Sequence, residues 1–96
     1  MRLNVVFSNI ANLDLVAIHD DIAEYSPEAA KNTLLRIKAE CGRLSSMPLT
    51  GYKCDDLQTG LRFRVVGKYV VFYRVTDDVV WIQRVLHGAR DFGKLL

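Results

Sequence analysis

Residues 61–87 read LRFRVVGKYVVFYRVTDDVVWIQRVLH, three runs dense in β-branched and aromatic residues and parted by short polar joints. Gly67-Lys68 has the Gly-X pattern of a two-residue type II′ turn. That turn sets a register: Val66 opposite Tyr69, Arg64 opposite Val71, Arg62 opposite Tyr73. Paired residues share a face. Arg62, Arg64, Tyr69 and Tyr73 then lie together, away from Leu61, Phe63, Val65, Val70 and Phe72. The second set is the more apolar, so it is expected to meet the helices. Thr76-Asp77-Asp78 makes the next joint, completing a three-stranded meander. A loop of two or of three residues there would swap the faces of the last strand, which leaves the side of Arg84 and His87 open.

Upstream the period changes. Residues 2–7 alternate as a strand, and Ser8 and Asn9 offer N-cap side chains. Ala11, Leu15, Ile18, Ile22 and Tyr25 then recur at helical spacing and predict a helix over 8–25. Ser26-Pro27 ends it and starts another, with Ser26 as N-cap, Pro27 in the first turn and Glu28 at the positive end of the dipole. Ala30, Leu34, Ile37, Cys41 and Leu44 predict the second helix over 27–46. So short a joint implies an antiparallel hairpin, with Leu15, Ile18 and Ile22 facing inward beside Leu34, Ile37 and Cys41. The longest connection runs from Pro48 to Gly60. The fold class is α+β: a helical hairpin packed on a mostly antiparallel sheet in the order β-α-α-β-β-β.

Composition agrees with that size of fold. The chain has 96 residues, half of them hydrophobic and a quarter charged, which fits one globular domain over 1–96. A chain this long hides roughly two-thirds of its unfolded surface, enough for one core. No apolar run approaches the ~20 residues of a membrane span, and the N-terminus lacks a signal-peptide pattern, so the expected location is the cytoplasm. The net charge of +2 is unevenly spread. Residues 1–47 hold five Lys/Arg and six Asp/Glu, whereas residues 48–96 hold eight and five. The basic excess on the strand half suits an acidic partner or phosphates.

Cys41 and Cys54 are too few for a disulfide framework or a zinc knuckle. Cys41 falls on an apolar stripe and reads as a buried small hydrophobe. Cys54 stands in the polar loop GYKCDDLQTG and reads as exposed and oxidisable. His19-Asp20-Asp21 reads as a solvated helix face, because adjacent helical residues diverge. Trp81 reads as a packing residue. The densest polar chemistry is the tail RVLHGARDFGKLL, where Arg84, His87, Arg90 and Asp91 fall within eight positions.

Beside that reading, several phrases resemble a known family. The element order, MPLTG after the second helix, Gly60-Leu61-Arg62, YVVFYRV and RVLHGARD are together similar to ParE-type toxins of the RelE/ParE superfamily, over nearly the whole chain. The resemblance implies the toxin half of a bacterial type II toxin–antitoxin pair. It implies inhibition of DNA gyrase, and a hetero-oligomer with a ParD-like antitoxin that lays a disordered segment across the toxin. The RelE branch of the same superfamily cleaves messenger RNA on the ribosome. Metal-free cleavage of that kind needs a base, cations for the phosphorane and an acid. RelE-type sites resemble a cluster of Lys, Arg and a terminal Tyr or His, with one arginine opening a strand like RLVY. Here Val70 takes that arginine's place, and no tyrosine follows Tyr73.

Arg62, Arg64, Arg84, His87 and Arg90 remain as cations. The expectation is therefore a protein-binding inhibitor with no catalytic residue, no cofactor, no metal and no sequence-specific contact to nucleic acid. Its candidate target- or antitoxin-binding residues are Arg62, Arg64, Tyr73, Arg84, His87, Arg90, Asp91 and Phe92. The alternatives are a RelE-branch ribonuclease using His87 as acid–base, and a degenerate member that only binds its antitoxin.

Overall fold

The computed structural model describes residues 2–88 and Phe92. Strand β1 (Asn4–Phe7) leads into helix α1 (Asn9–Ala23), and helix α2 (Pro27–Arg43) follows at once. Ser8 and Ser26 cap the two helices, each side chain accepting a hydrogen bond from the backbone N–H three residues on. Strands β2 (Tyr52–Lys53), β3 (Arg62–Val66), β4 (Tyr69–Thr76) and β5 (Val79–His87) complete the chain. The sheet order is β1-β5-β4-β3-β2, with β1 parallel to β5 and every other pairing antiparallel.

The β3–β4 hairpin forms in the expected register, Arg62 to Tyr73, Arg64 to Val71 and Val66 to Tyr69. Gly67 takes a φ of +59°, the left-handed value that a II′ turn requires at its first central residue. The Asp77-Asp78 loop has two residues, since Thr76 pairs with Val79. A bulge then intervenes: Tyr73 pairs with Ile82 but Phe72 pairs with Arg84, which leaves Gln83 as the extra residue. The two-residue edge strand β2, inside the long loop, has no sequence signal of its own.

The helices pack through the stripes the sequence implies. Leu15, Ile18, Ile37 and Cys41 are buried, and Ile22 and Leu34 pack beside them. Tyr25 is the exception; α1 ends before it and its side chain is 90% exposed.

The helices cover the other face of the sheet from the one expected. Their core includes Val66, Val71, Tyr73, Val80, Ile82 and Val85, the face that also carries Arg62 and Arg64. Leu61, Val70, Phe72 and Leu86 form a second cluster on the far side, closed by Cys54, Phe63 and Phe92. Both faces of β4 are therefore buried over Val70–Tyr73. Tyr73 and Tyr69 weigh as polar in a face count, yet a ring buries as much apolar area as a leucine, and one hydrogen bond satisfies its hydroxyl. Cys54, expected to be exposed, is 7% exposed, and burial pushes its thiol up from the ordinary value. Trp81 is not the packing residue expected; it lies 43% exposed on the face away from the helices.

Candidate functional site

Two of the candidate arginines close a lock on the loop that precedes β3. Tyr73 is fully buried, and its hydroxyl accepts a hydrogen bond from the Gly51 N–H at 2.8 Å. A Cβ on Gly51 would stand 2.3 Å from that oxygen, so only glycine fits. Arg62 Nη1 donates to the carbonyls of Leu49 and Gly51 at 3.1 and 3.0 Å. Arg64 pairs with Glu40 of α2, Nη2 to Oε2 at 3.0 Å, and reaches Thr50 Oγ1 at 3.3 Å. Burial raises the Tyr73 phenol above its ordinary value, against the Gly51 hydrogen bond and the two arginines. Arg62, Arg64 and Tyr73 thus come together as expected, but as a clasp on residues 49–51 rather than as open cations.

Arg84 and His87 gather at a second place. Strand β1 pairs with β5 only as far as Phe7–Ile82, and α1 then takes over that edge. Ser8 Oγ donates to the Gln83 carbonyl at 2.8 Å. Asp14, nearly two turns further along, accepts from the Val85 N–H at 3.0 Å and from Arg84 Nε and Nη2 at 2.9 and 3.0 Å. The hydrogen bond to Asp14 raises the Arg84 guanidinium further above its ordinary value, against desolvation. His87 pairs with Tyr69 and meets that ring edge-on, centroids 5.6 Å apart. These residues, with Ala17 and Asp21 of α1, line a cleft of about 480 Å³. His87, opposite Tyr69, thus lies on the helix face, while Arg84 stands opposite Phe72 and its guanidinium reaches Asp14 of α1 at the sheet edge.

Phe92 belongs to neither place. It packs edge-on against Phe72, ring centroids 4.9 Å apart, and caps the second core. Arg90 and Asp91 lie outside the described residues. Asp14, Glu40 and Gly51 carry the geometry of both places without having been candidates. Asp14 gave one signal, an acidic residue set directly beside the buried Leu15 on α1. Gly51 closes the phrase MPLTG.

Position 70, where the sequence resemblance implies an arginine for a RelE-type site, is apolar. Val70 is 7% exposed among Leu61, Phe72 and Leu86. Among the described residues no cation belongs to that cluster: Arg62 and Arg64 point into the loop clasp on the opposite face, and Arg74 lies further along the same face of β4. Among the described residues no group of three His, Cys, Asp or Glu side chains is placed to hold a metal ion. Among them too, no helix is long and apolar enough to cross a membrane.

Comparison with known proteins agrees with this architecture. The chain is 38% identical over 86 residues to Toxin RelE2 of Caulobacter vibrioides, covering 90% of this chain and 96% of that protein. It is 33% identical over 84 residues to Toxin ParE3 of the same organism, covering 86% and 84%. Among solved structures it superposes on the chromosomal ParDE toxin–antitoxin system of P. aeruginosa with a TM-score of 0.78 at 20% identity, over 90% of this chain and 96% of that one. The RelBE2 toxin–antitoxin complex of Mycobacterium tuberculosis gives 0.64 at 26% identity, over 91% and 99%. A family model described as the ParE toxin of the type II toxin–antitoxin system parDE matches residues 5–92. The chain therefore belongs to the ParE toxin family of type II toxin–antitoxin systems.

Proposed function

We propose that this toxin works by binding a protein target, DNA gyrase, in the bacterial cytoplasm, and that a ParD-like antitoxin holds it inactive. The observation that carries the reading is the burial of Val70 in an apolar cluster, at the place where a messenger-RNA-cleaving relative needs a cation. Without that cation a phosphorane gains little electrostatic stabilisation. The antitoxin reading draws on α1, where Ile10, Leu13 and Val16 recur at spacing three and stay more than half exposed. Such a stripe suits the apolar face of an added segment that folds as it binds.

The test pairs two assays of the purified protein, gyrase supercoiling and cleavage of ribosome-bound messenger RNA. Gyrase inhibition with intact RNA is the expected result, and RNA cleavage without gyrase inhibition would overturn it. A second reading, ribosome-dependent cleavage with His87 as general acid, is favoured by that histidine's exposure in the cleft beside Arg84. His87→Gln separates the two. A target binder keeps its toxicity, whereas a ribonuclease loses about a hundredfold in rate or more. A folded His87→Gln protein without toxicity would favour the ribonuclease.

A further inference from the structure

The face of the sheet away from the helices carries a row that neither core uses. Val6 of β1 pairs with Trp81 of β5, and Trp81 pairs in turn with Arg74 of β4. Their chain neighbours Val5, Phe7, Val80, Ile82, Tyr73 and Val75 all belong to the helix-side core, so the three point the other way. Val6 is 37% exposed and Trp81 is 43% exposed. Arg74, Trp81, Ser8, Thr76 and Gln83 line a shallow groove of about 370 Å³. Arg74 Nε is shut off from water and has no acceptor, and among the described residues no carboxylate pairs with this guanidinium.

We propose that the Val6–Trp81–Arg74 row is the surface with which the toxin grips its target, and that it takes a protein segment bearing a carboxylate beside an apolar side chain. The proposal rests on the reading above that the toxin acts by binding a protein. A partly desolvated guanidinium without an acceptor has already lost water and regains nothing in the free toxin. An incoming carboxylate pairs with the outer nitrogens of the guanidinium, and a small turn of the Arg74 side chain brings Nε into a two-pronged pair. Trp81 supplies rigid apolar area next to it. Tryptophan and arginine are the residue types that most often dominate protein interfaces. A nucleic-acid strand fits less well. Among the described residues Arg74 is the one cation lining the groove, and the other polar side chains there are neutral, whereas a phosphate backbone is held by several cations. The antitoxin has its own exposed stripe on α1, so gripping the target and being silenced fall on different faces.

Growth arrest and gyrase inhibition are measured for the wild-type chain, Arg74→Glu, Arg74→Lys and Trp81→Ala, with thermal melts to show that each is folded. Binding of each to the purified antitoxin is measured alongside. The expected result is a loss of toxicity of about tenfold or more for Arg74→Glu and Trp81→Ala, a smaller loss for Arg74→Lys, and antitoxin affinity unchanged. Folded variants that arrest growth like wild type would overturn the surface. A loss of antitoxin binding with toxicity retained would also overturn it, by giving the row to the antitoxin. If wild type arrests growth without inhibiting gyrase, the gyrase reading fails while the growth data still judge the row. A wild-type chain without toxicity would overturn both. Trp81 is the single tryptophan, so its fluorescence reports on this groove alone. Quenching by a thymidine oligonucleotide, lost in Arg74→Glu, would overturn the protein-segment proposal in favour of a nucleic-acid strand.

Discussion

Asp14 satisfies a guanidinium and a backbone N–H at once, both at the end of the sheet where β1 has stopped. Removing the carboxylate strands both donors in a partly buried place, with side-chain exposure of 13% for Asp14 and 18% for Arg84. Asp14→Ala is expected to cost about 3 kcal/mol, read as a lowered urea midpoint. A cost near zero would mean that water replaces the carboxylate. Cys41 sets a different dependence. Burial pushes its thiol up from 9.0 to about 12, with Glu40 adding to the rise. The unfolded chain therefore gives up this proton at lower pH than the folded one. The stabilisation is complete below about pH 9 and is lost as pH climbs from there toward 12, by up to about 1.4 kcal/mol per pH unit. Cys54 and Tyr73 are raised in the same direction and add to the trend. Melting temperature should hold level from pH 7 to 8.5 and fall above 9, and Cys41→Ala should flatten that fall. An identical slope in the variant would assign the effect elsewhere.

At the scale of elements, β4 decides most of the molecule, because both its faces are buried over Val70–Tyr73. Val70→Arg, which puts a cation where the resemblance implies one for a RelE-type site, would set an unpaired charge among Leu61, Phe72 and Leu86. The expected outcome is a loss of more than about 3 kcal/mol or failure to fold, with no gain of RNA cleavage. A stable, cleaving variant would show that the face opens easily. The same strand shows what sequence could and could not convey. Its register with β3 was legible, because Gly67-Lys68 admits one turn and alternation fixes the rest. Which face meets the helices was not, since a strand buried on both sides has no polar face to read. The bulge at Gln83 was also invisible, although it decides where Arg84 points. The helical stripes were legible from spacing alone. The clasp on Gly51 and the Asp14–Arg84 pair were not, because they join residues 22 and 70 positions apart.

For the whole molecule, the two unpartnered surfaces should respond separately. Adding purified antitoxin should raise the melting temperature with concentration, since it binds only the folded toxin. It should slow hydrogen exchange around Ile10, Leu13 and Val16 while leaving Trp81 open to iodide quenching. Loss of that quenching would place the antitoxin on the sheet face instead.

The parallel pairing of β1 with β5 joins Asn4 to Val79, the first strand to the last. A contact between residues so far apart in sequence forms late, after the loop between them has been closed. During synthesis β1 has no partner until the ribosome has made β5, through Ile82. The helical hairpin, with α1 and α2 adjacent in sequence, can assemble well before that. With the antitoxin on the α1 stripe as proposed, a nascent toxin would show that stripe while its sheet is still open and the proposed target surface does not yet exist. Translation order would then give the antitoxin first access to each new copy.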